Sequence, residues 1–455
     1  MLNTCLFRCF CRVLLPLKLL FAAFTHAELA AFDDTLPDSS SALFTLQGSN
    51  TIGARLAPEL VKAFLLAKGA AEVIVVAGEN ESRINAKMGP RQVPVWVDIA
   101  AHGSGTGFDG LLKGSADIAA ASRPAKPKEI KALAGFTDLT DERSEHIIGI
   151  DGLAIIIHPQ NPIQQLSVKQ VALIFSGQIN DWSQLGGRRG KINLYSRDDR
   201  SGTWDSFKRM VLGKNHTLDV AAKRFESNDN LSDEVSADID GIGFVGLPSV
   251  RKAKLIAISD GFGKALKPNK LTIATEDYAL SRRLYFYTHD ESDNPYVREF
   301  IAFVEGVAGQ NTVAANGFIA QQVEVVVPQG YRDLPQNFQE ITPSEQRLTV
   351  NFRFKQGSAQ LDNRALRDID RLVQFITKQE DKKLTLIGFG DQKRSPERAQ
   401  LLSKLRAMAV RRELVKQGVY PQSSHGYGEQ LPVASNEREA GRYKNRRVEV
   451  WLGKK

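Results

Sequence analysis

Three short stretches place hydroxyl, glycine and arginine residues where they could hold an anion. Gly48-Ser49-Asn50-Thr51-Ile52-Gly53 precedes an apolar periodic run over residues 56–67, and Gly103-Ser104-Gly105-Thr106-Gly107 precedes residues 108–113. The third, Arg197-Asp198-Asp199-Arg200-Ser201-Gly202-Thr203, precedes residues 204–212. The first N–H groups of a helix have no partner within it and lie at its positive end, so such loops can bind anions. Hydroxyls add neutral donors, glycine admits close approach, and Arg197 or Arg200 adds a planar fork suited to a tetrahedral oxyanion. Singly, each loop is an ordinary cap or turn. Three in one body point to convergence on a single anion. A nucleotide loop does not compete: Gly105 and Gly110 have the right separation, but Leu111 stands where a lysine is required. His102 beside Ser104 does not suggest a nucleophile and its base, because adjacent positions rarely align that way and no triad order emerges. The expectation is a binding protein, not an enzyme, with no metal and no other cofactor.

The elements that must position these loops alternate. Residues 73–77, 95–100, 147–158, 242–247 and 284–288 read as strands, and residues 54–68 and 167–175 as helices. This pattern predicts α/β layers with substantially parallel sheets, and about 300 residues exceed one comfortable core, so two lobes are expected. Residues 326–346 thin to Pro328, Gly330, Pro335, Pro343 and several glutamines, a linker composition that would reach about 60 Å if extended. Residues 347–455 suit an independent domain. Strand 348–354, helix 361–377 with Leu366, Ile369, Val373 and Ile376 on one face, strand 384–389, a helix opened by Ser395-Pro396, and strand 447–452 give a β-α-β-α-β, α+β order.

Charge is partitioned. The chain has 60 Lys plus Arg against 52 Asp plus Glu, but residues 341–455 hold 24 against 13, leaving residues 28–340 with 33 against 39. An acidic body with a basic tail is not a uniformly basic nucleic-acid binder, so no nucleic-acid partner is expected. Cys5, Cys9 and Cys11 share the first residues with Arg8, Arg12 and Lys18, ahead of the apolar run 19–24, and Thr25 and Ala27 follow at positions that suit processing. Residues 1–27 therefore read as a secretory signal peptide whose removal leaves a cysteine-free chain.

Residues 44–322 resemble the periplasmic phosphate-binding component of Pst-type ABC transporters. The resemblance rests on Asn161-Pro162, Leu166, Ile174-Phe175-Ser176-Gly177, Asp181-Trp182, Leu185-Gly186-Gly187, Arg197 four residues before Ser201-Gly202-Thr203, and Ile242-Gly243-Phe244-Val245. It implies a two-lobed type II periplasmic-binding-protein fold over residues 42–325 that closes on inorganic phosphate, with an ABC permease as a further partner. Carried over residue by residue, Thr51 and Ile52 supply backbone and hydroxyl donors, and Ser104 sits at the second helix start. Arg197, Ser201, Gly202 and Thr203 clamp from the opposing lobe, while Arg200 is equally a ligand or a surface charge. One position departs. Members that reject sulfate through an Asp accepting the ligand's proton carry it eighteen residues after Ser104, where this chain has Ser122 followed by Arg123. The departure implies weaker selectivity, or an acceptor supplied by Asp198, Asp199 or a backbone carbonyl. A buried acceptor facing a fully deprotonated sulfate costs roughly 1 to 3 kcal/mol, so its presence decides specificity.

The tail resembles the OmpA-like peptidoglycan-binding domain. Its carriers are Phe352-Arg353-Phe354, Gly357-Ser358-Ala359, Leu361, Gly388, Asp391, Leu402-Ser403, Arg406-Ala407, Gly426, Gly428, Pro432, Gly441-Arg442 and Asn445-Arg446-Arg447-Val448-Glu449. The resemblance implies that Asp391 and, fifteen residues on, Arg406 grip the diaminopimelate of the wall peptide, the first through its ammonium and the second through its carboxylate. Phe389-Gly390 in place of His-Thr, and Ala399 in place of Asn, imply weakened or altered wall affinity. The combined expectation is a periplasmic phosphate receptor for uptake or sensing, tethered to peptidoglycan at the wall side of the envelope. The competing reading is an envelope structural or adhesion protein whose body no longer serves transport.

Overall fold

The computed structural model describes residues 42–454 apart from residues 79, 200, 262, 291, 343, 355–359, 380, 392–394 and 438. The signal segment with its cysteines, Arg200 and Gly357-Ser358-Ala359 lie outside the described residues.

Two lobes share one eleven-stranded sheet. In the first, Phe44–Gly48 lies parallel between Val93–Ala100 and Ile118–Ala121. A hairpin of Glu72–Ala77 and Glu81–Met88 continues that sheet at its edge. Leu56–Ala67 and Pro295–Glu305 bury Leu60, Phe64, Phe300 and Val304 on one face, with the Phe44 and Phe300 rings 5.0 Å apart. Ser104–Lys113 covers the other face, setting Phe108 and Leu111 against Tyr285 and Tyr287. In the second lobe Gly241–Gly246, Asn193–Arg197 and Lys223–Phe225 run parallel. Phe207 and Phe244 stack there at 3.9 Å, beside Phe175 and Trp204.

The sheet is mixed rather than substantially parallel, and the reason is the hinge. Glu145–Ile157 runs through both lobes over 13 residues, pairing antiparallel with Gly241–Gly246 on one side and with Ser281–Tyr287 on the other. Ser281–Tyr287 is also antiparallel to Ile118–Ala121. The two lobes are thus connected by long strands that cross between them, not by successive parallel crossovers. The strand Glu81–Met88 escapes an apolar-run reading because its buried Ile84, Ala86 and Met88 alternate with charged or polar neighbours.

The tail has a five-stranded sheet in the order Val325–Val326, Gln346–Arg353, Arg447–Lys454, Lys382–Gly388, Ser423–Gly426. Asn363–Ile376 and Pro396–Lys416 pack Leu372, Val410 and Leu414 against Leu386 and Val450. Two elements are added to the expected β-α-β-α-β order: the strand Ser423–Gly426 and the helix Glu439–Asn445. The stretch with linker composition is folded. Val325–Val326 pairs with Gln346–Arg353, and the short helices Tyr331–Asp333 and Gln336–Ile341 bring Tyr331 and Phe338 onto Phe389, Tyr427 and Trp451. Burial of those two aromatics outweighs the turn-forming prolines around them.

The tail is docked on the body through an acidic pair on the turn after Lys270–Ala274. Asp277 Oδ1 accepts from Asn351 Nδ2 at 3.0 Å and Arg353 Nη2 at 2.9 Å, and Oδ2 from Arg347 Nη2 at 3.1 Å. Glu276, in a left-handed conformation at φ 59, pairs with Arg283 at 2.5 Å and Arg364 at 3.2 Å. Burial pushes the Asp277 carboxyl up, but Arg347, Arg353 and Arg447 outweigh it and hold it below the ordinary carboxylate value.

A depressed folded-state pKa contributes stability above the unfolded value and loses it as pH falls through the folded value. Docking through Asp277 is therefore expected to hold at neutral pH and to fail only in strong acid. Asp277→Asn leaves buried guanidinium groups uncompensated and should cost about 3 to 5 kcal/mol. Calorimetry will show a lower Tm with earlier proteolysis within residues 326–346; an unchanged Tm would remove Asp277 from this role.

Candidate functional site

The cleft between the lobes has a volume of about 690 Å³. Asn50 and Thr51 line it from the first lobe, Arg197, Ser201 and Thr203 from the second, and Asp151 from the hinge strand. The first and third Gly/Ser/Thr stretches therefore face one another.

Each side chain is placed by short-range structure. Thr51 sits in the one-turn helix Asn50–Gly53, and its Oγ1 accepts from Arg282 Nη2 at 2.9 Å. Arg282 lies opposite Asp151 in the hinge register and donates to Asp151 Oδ2 through Nε at 2.9 Å and Nη2 at 2.7 Å. Ile52 is fully buried, and its N–H is engaged by the Ser49 carbonyl at 3.1 Å. Arg197 ends the strand Asn193–Arg197; its Nε donates to the Phe225 carbonyl at 3.1 Å and its Nη2 to the Glu226 carbonyl at 2.5 Å. Burial lowers the Arg197 pKa, with Asp198 and Glu226 pulling it back. Ser201 caps the helix Gly202–Phe207, its Oγ accepting from the N–H of Thr203 at 3.2 Å and of Trp204 at 3.3 Å. That leaves the Ser201 hydroxyl hydrogen to donate, beside the helix start that carries Gly202 and Thr203.

Ser104 and Ser122 form a pair of their own on the first lobe. Ser122 N–H donates to Ser104 Oγ at 3.2 Å, and the Ser122 carbonyl accepts from Arg209 Nη2 of the second lobe at 3.0 Å. The acceptors considered for replacing the missing Asp are already held. Asp198 faces Arg197 at 3.8 Å, and Asp199 pairs with Arg224 at 3.1 Å. Arg123 is paired with Glu129 through two 2.7 Å bonds. Asp151 lines the cleft, Arg282 ties it to Thr51, and Arg209 reaches the Ser122 carbonyl from the other lobe; none of the three was singled out by sequence, where each shows only as a charge within a strand or helix pattern.

In the tail, Asp391 is 1% exposed and Arg406 8%. Asp391 Oδ2 accepts from Arg446 Nη1 at 3.2 Å, while Arg406 Nη1 donates to the Phe389 carbonyl at 3.4 Å. Burial lowers the Arg406 pKa and the nearby Asp391 charge raises it, so the two residues sense one another. The departures at Phe389 and Ala399 are packing positions. Phe389 lies 6.0 Å from Phe338 and under Arg447 at 3.8 Å, and Ala399 is 1% exposed. Among the described residues no group of three His, Cys, Asp or Glu is placed to hold a metal ion.

A model of the PBP superfamily domain matches residues 88–305, and one of the OmpA family matches residues 353–446. The phosphate-binding protein PstS of Staphylococcus saprophyticus is 31% identical over 247 residues, covering 52% of this chain and 75% of that protein. The chain belongs to the PstS family. PstS of Staphylococcus aureus strain USA300 is 30% identical, covering 52% of this chain and 73% of that protein. The crystal structure of an ABC-type phosphate transport receptor from Vibrio cholerae is 26% identical with a TM-score of 0.48, covering 61% of this chain and 99% of that one. The two-lobed binding-protein fold and the OmpA domain are thus both present in one PstS-family chain.

Within this PstS-family cleft, Arg282 ties Thr51 to the hinge. Its side chain and that of Asp151 are 7% and 14% exposed. Arg282→Ala should destabilise the chain by about 3 kcal/mol, because it leaves Asp151 shielded and unpaired. In an Asp151→Asn background most of that cost should vanish, as a thermal-unfolding double-mutant cycle will measure.

Proposed function

We propose that this protein is a periplasmic solute-binding protein that captures inorganic phosphate between its lobes and is tethered non-covalently to peptidoglycan by its OmpA domain. The observation that carries the reading is the convergence of Thr51, Arg197, Ser201 and Thr203, from opposite lobes, on one cleft. Helix-start N–H groups, hydroxyl donors and a buried guanidinium together suit an oxyanion. The family resemblance adds Ile52, Gly202, Ser104 and Ser122 to the contact set, and the Ile52 N–H would exchange the Ser49 carbonyl for the ligand. The site binds and releases without chemistry, so the protein is not an enzyme. On this reading the captured anion is delivered to an ABC permease or to a phosphate sensor. Residues 1–27 direct export and are removed.

Wall binding rests on Asp391 and Arg406 receiving the diaminopimelate ammonium and carboxylate. Both are buried and engaged with Arg446 and the Phe389 carbonyl, so the ligand must replace those partners, which agrees with a moderate rather than a tight hold.

Arg197→Ala should lower phosphate affinity by roughly 2 to 5 kcal/mol, the cost of removing a desolvated charge-assisted partner; equal affinities in isothermal titration would end the clamp assignment. Arg406→Ala should reduce sedimentation with isolated peptidoglycan while leaving phosphate binding intact. Sedimentation of the parent chain with peptidoglycan, together with no detectable phosphate binding, would favour the envelope-structural reading instead.

A further inference from the structure

The helix Gly202–Phe207 does not continue as a regular α-helix. It passes into a π-helical turn over Lys208–Leu212, a local widening that often marks functional sites. The wide turn keeps Phe207, Val211 and Leu212 in the core of the second lobe while Arg209 crosses to the first lobe and donates to the Ser122 carbonyl. Arg209 forms no ion pair with any described carboxylate. Its pKa is pushed down to about 10, by burial first and then by the charges of Arg282 and Arg123. A guanidinium held near two others, in no ion pair and only partly offset by Asp205, is a charge suited to meet an anion.

The hydrogen-bond roles around it are unequal. The Ser122 carbonyl is taken by Arg209, and Ser104 Oγ accepts from the Ser122 N–H. The Asp151 carboxylate is held by Arg282, and Asp198 faces Arg197. What the Ser104–Ser122–Arg209 contact between the lobes offers a ligand is the Ser104 hydroxyl hydrogen, the Ser122 hydroxyl and the Arg209 guanidinium. None of these three groups is a carboxylate, so a ligand proton finds no dedicated acceptor among them; the carboxylate that acts on Arg209 is Asp205 of its own helix.

We propose that Arg209 is a selectivity-determining residue of this anion site, replacing a proton acceptor with a positive charge so that the cleft takes doubly charged tetrahedral oxyanions, sulfate as well as phosphate. This rests on the phosphate-binding reading above and names the ligand class of the same cleft. Asp205, in the first turn of the same helix, is the rival acceptor. It lies near Arg282, Lys208 and Arg209, and burial raises its pKa.

Isothermal titration of the full chain with phosphate and with sulfate tests the inference. Sulfate should bind within about tenfold of phosphate, where a site requiring a ligand proton separates such ligands far more widely. Arg209→Gln should weaken both anions together, by about tenfold or more, and Ser122→Asp should raise the phosphate-to-sulfate ratio by about tenfold. Arg209 reaches across to the Ser122 carbonyl of the other lobe and is not part of the apolar core of its own lobe, so an unchanged thermal transition of Arg209→Gln will confirm that the fold is intact. Sulfate binding more than about a hundredfold weaker than phosphate overturns the inference, and loss of that preference in Asp205→Asn would identify the acceptor. Arg209→Gln affinities equal to those of the parent chain overturn it too. If the parent chain binds phosphate and rejects sulfate, the selectivity inference falls alone; if it binds neither, the phosphate reading falls and carries this one with it.

Discussion

Successive side chains of a strand point to opposite faces, and at the hinge this alternation separates two neighbouring guanidinium groups on which both halves of the protein depend. Arg282 turns to the cleft, where it holds Asp151 and the Thr51 hydroxyl. Arg283 turns the other way, to Glu276, to Asp362 at 2.9 Å and to the Tyr443 hydroxyl at 3.1 Å. One strand therefore positions an anion-site residue on one face and docks the tail on the other. A buried guanidinium is tolerated only with such compensation, so the acids at 151, 276 and 362 are as necessary to the arrangement as the arginines.

The charge partition seen in the sequence acquires a structural meaning from this interface. The basic excess of the tail is not all displayed to solvent. Arg347, Arg353 and Arg364 are each below 9% exposed and meet Asp277 and Glu276 of the acidic body. Lys444 is buried as well, donating to the Tyr278 carbonyl at 2.7 Å, and burial lowers its pKa to about 8. Part of what reads as a wall-facing positive surface is the inner half of a complementary contact between two domains of the same chain.

How much of this was legible in the sequence follows from distance along the chain. The helix starts near Thr51, Ser104 and Ser201 depend on capping and turn residues within a few positions, and the sequence placed helices directly after them, although Thr51 falls within a one-turn helix of its own and Ser104 is already the first helical residue. The folded segment at 326–346 did not, because Tyr331 and Phe338 are anchored by Phe389, Tyr427 and Trp451, far along the chain. The same contact gives Phe389 a reason: where the family pattern has a polar residue, this chain needs a ring beneath the helix Gln336–Ile341. Arg209 and Arg282 were illegible for a related reason. Nothing local in Lys208-Arg209 or in Arg282-Arg283 tells which arginine faces a cleft; the π-turn and the cross-strand register decide it.

Magnitudes also decide how a docked tail can coexist with lobes that close. The tail touches both sides of the hinge. Toward the first lobe Asn363 Nδ2 donates to the Thr140 carbonyl and to Glu145 Oε2, each at 2.9 Å, and Arg367 meets the Glu145 carbonyl at 2.8 Å and the partly exposed Glu305 at 3.2 Å. Toward the second lobe it holds Glu276 and Asp277 with three arginines, Arg347, Arg353 and Arg364, all shielded from water. Contacts to carbonyls are worth about 1 kcal/mol each, while opening a buried ion pair costs about 3 to 5 kcal/mol. A rotation about the strands Glu145–Ile157 and Ser281–Tyr287 therefore yields first at Asn363 and Arg367, and the tail travels with the second lobe. The clamp residues Arg197, Ser201 and Thr203 and the tail then form one moving unit, with Thr51 and Ser104 on the other.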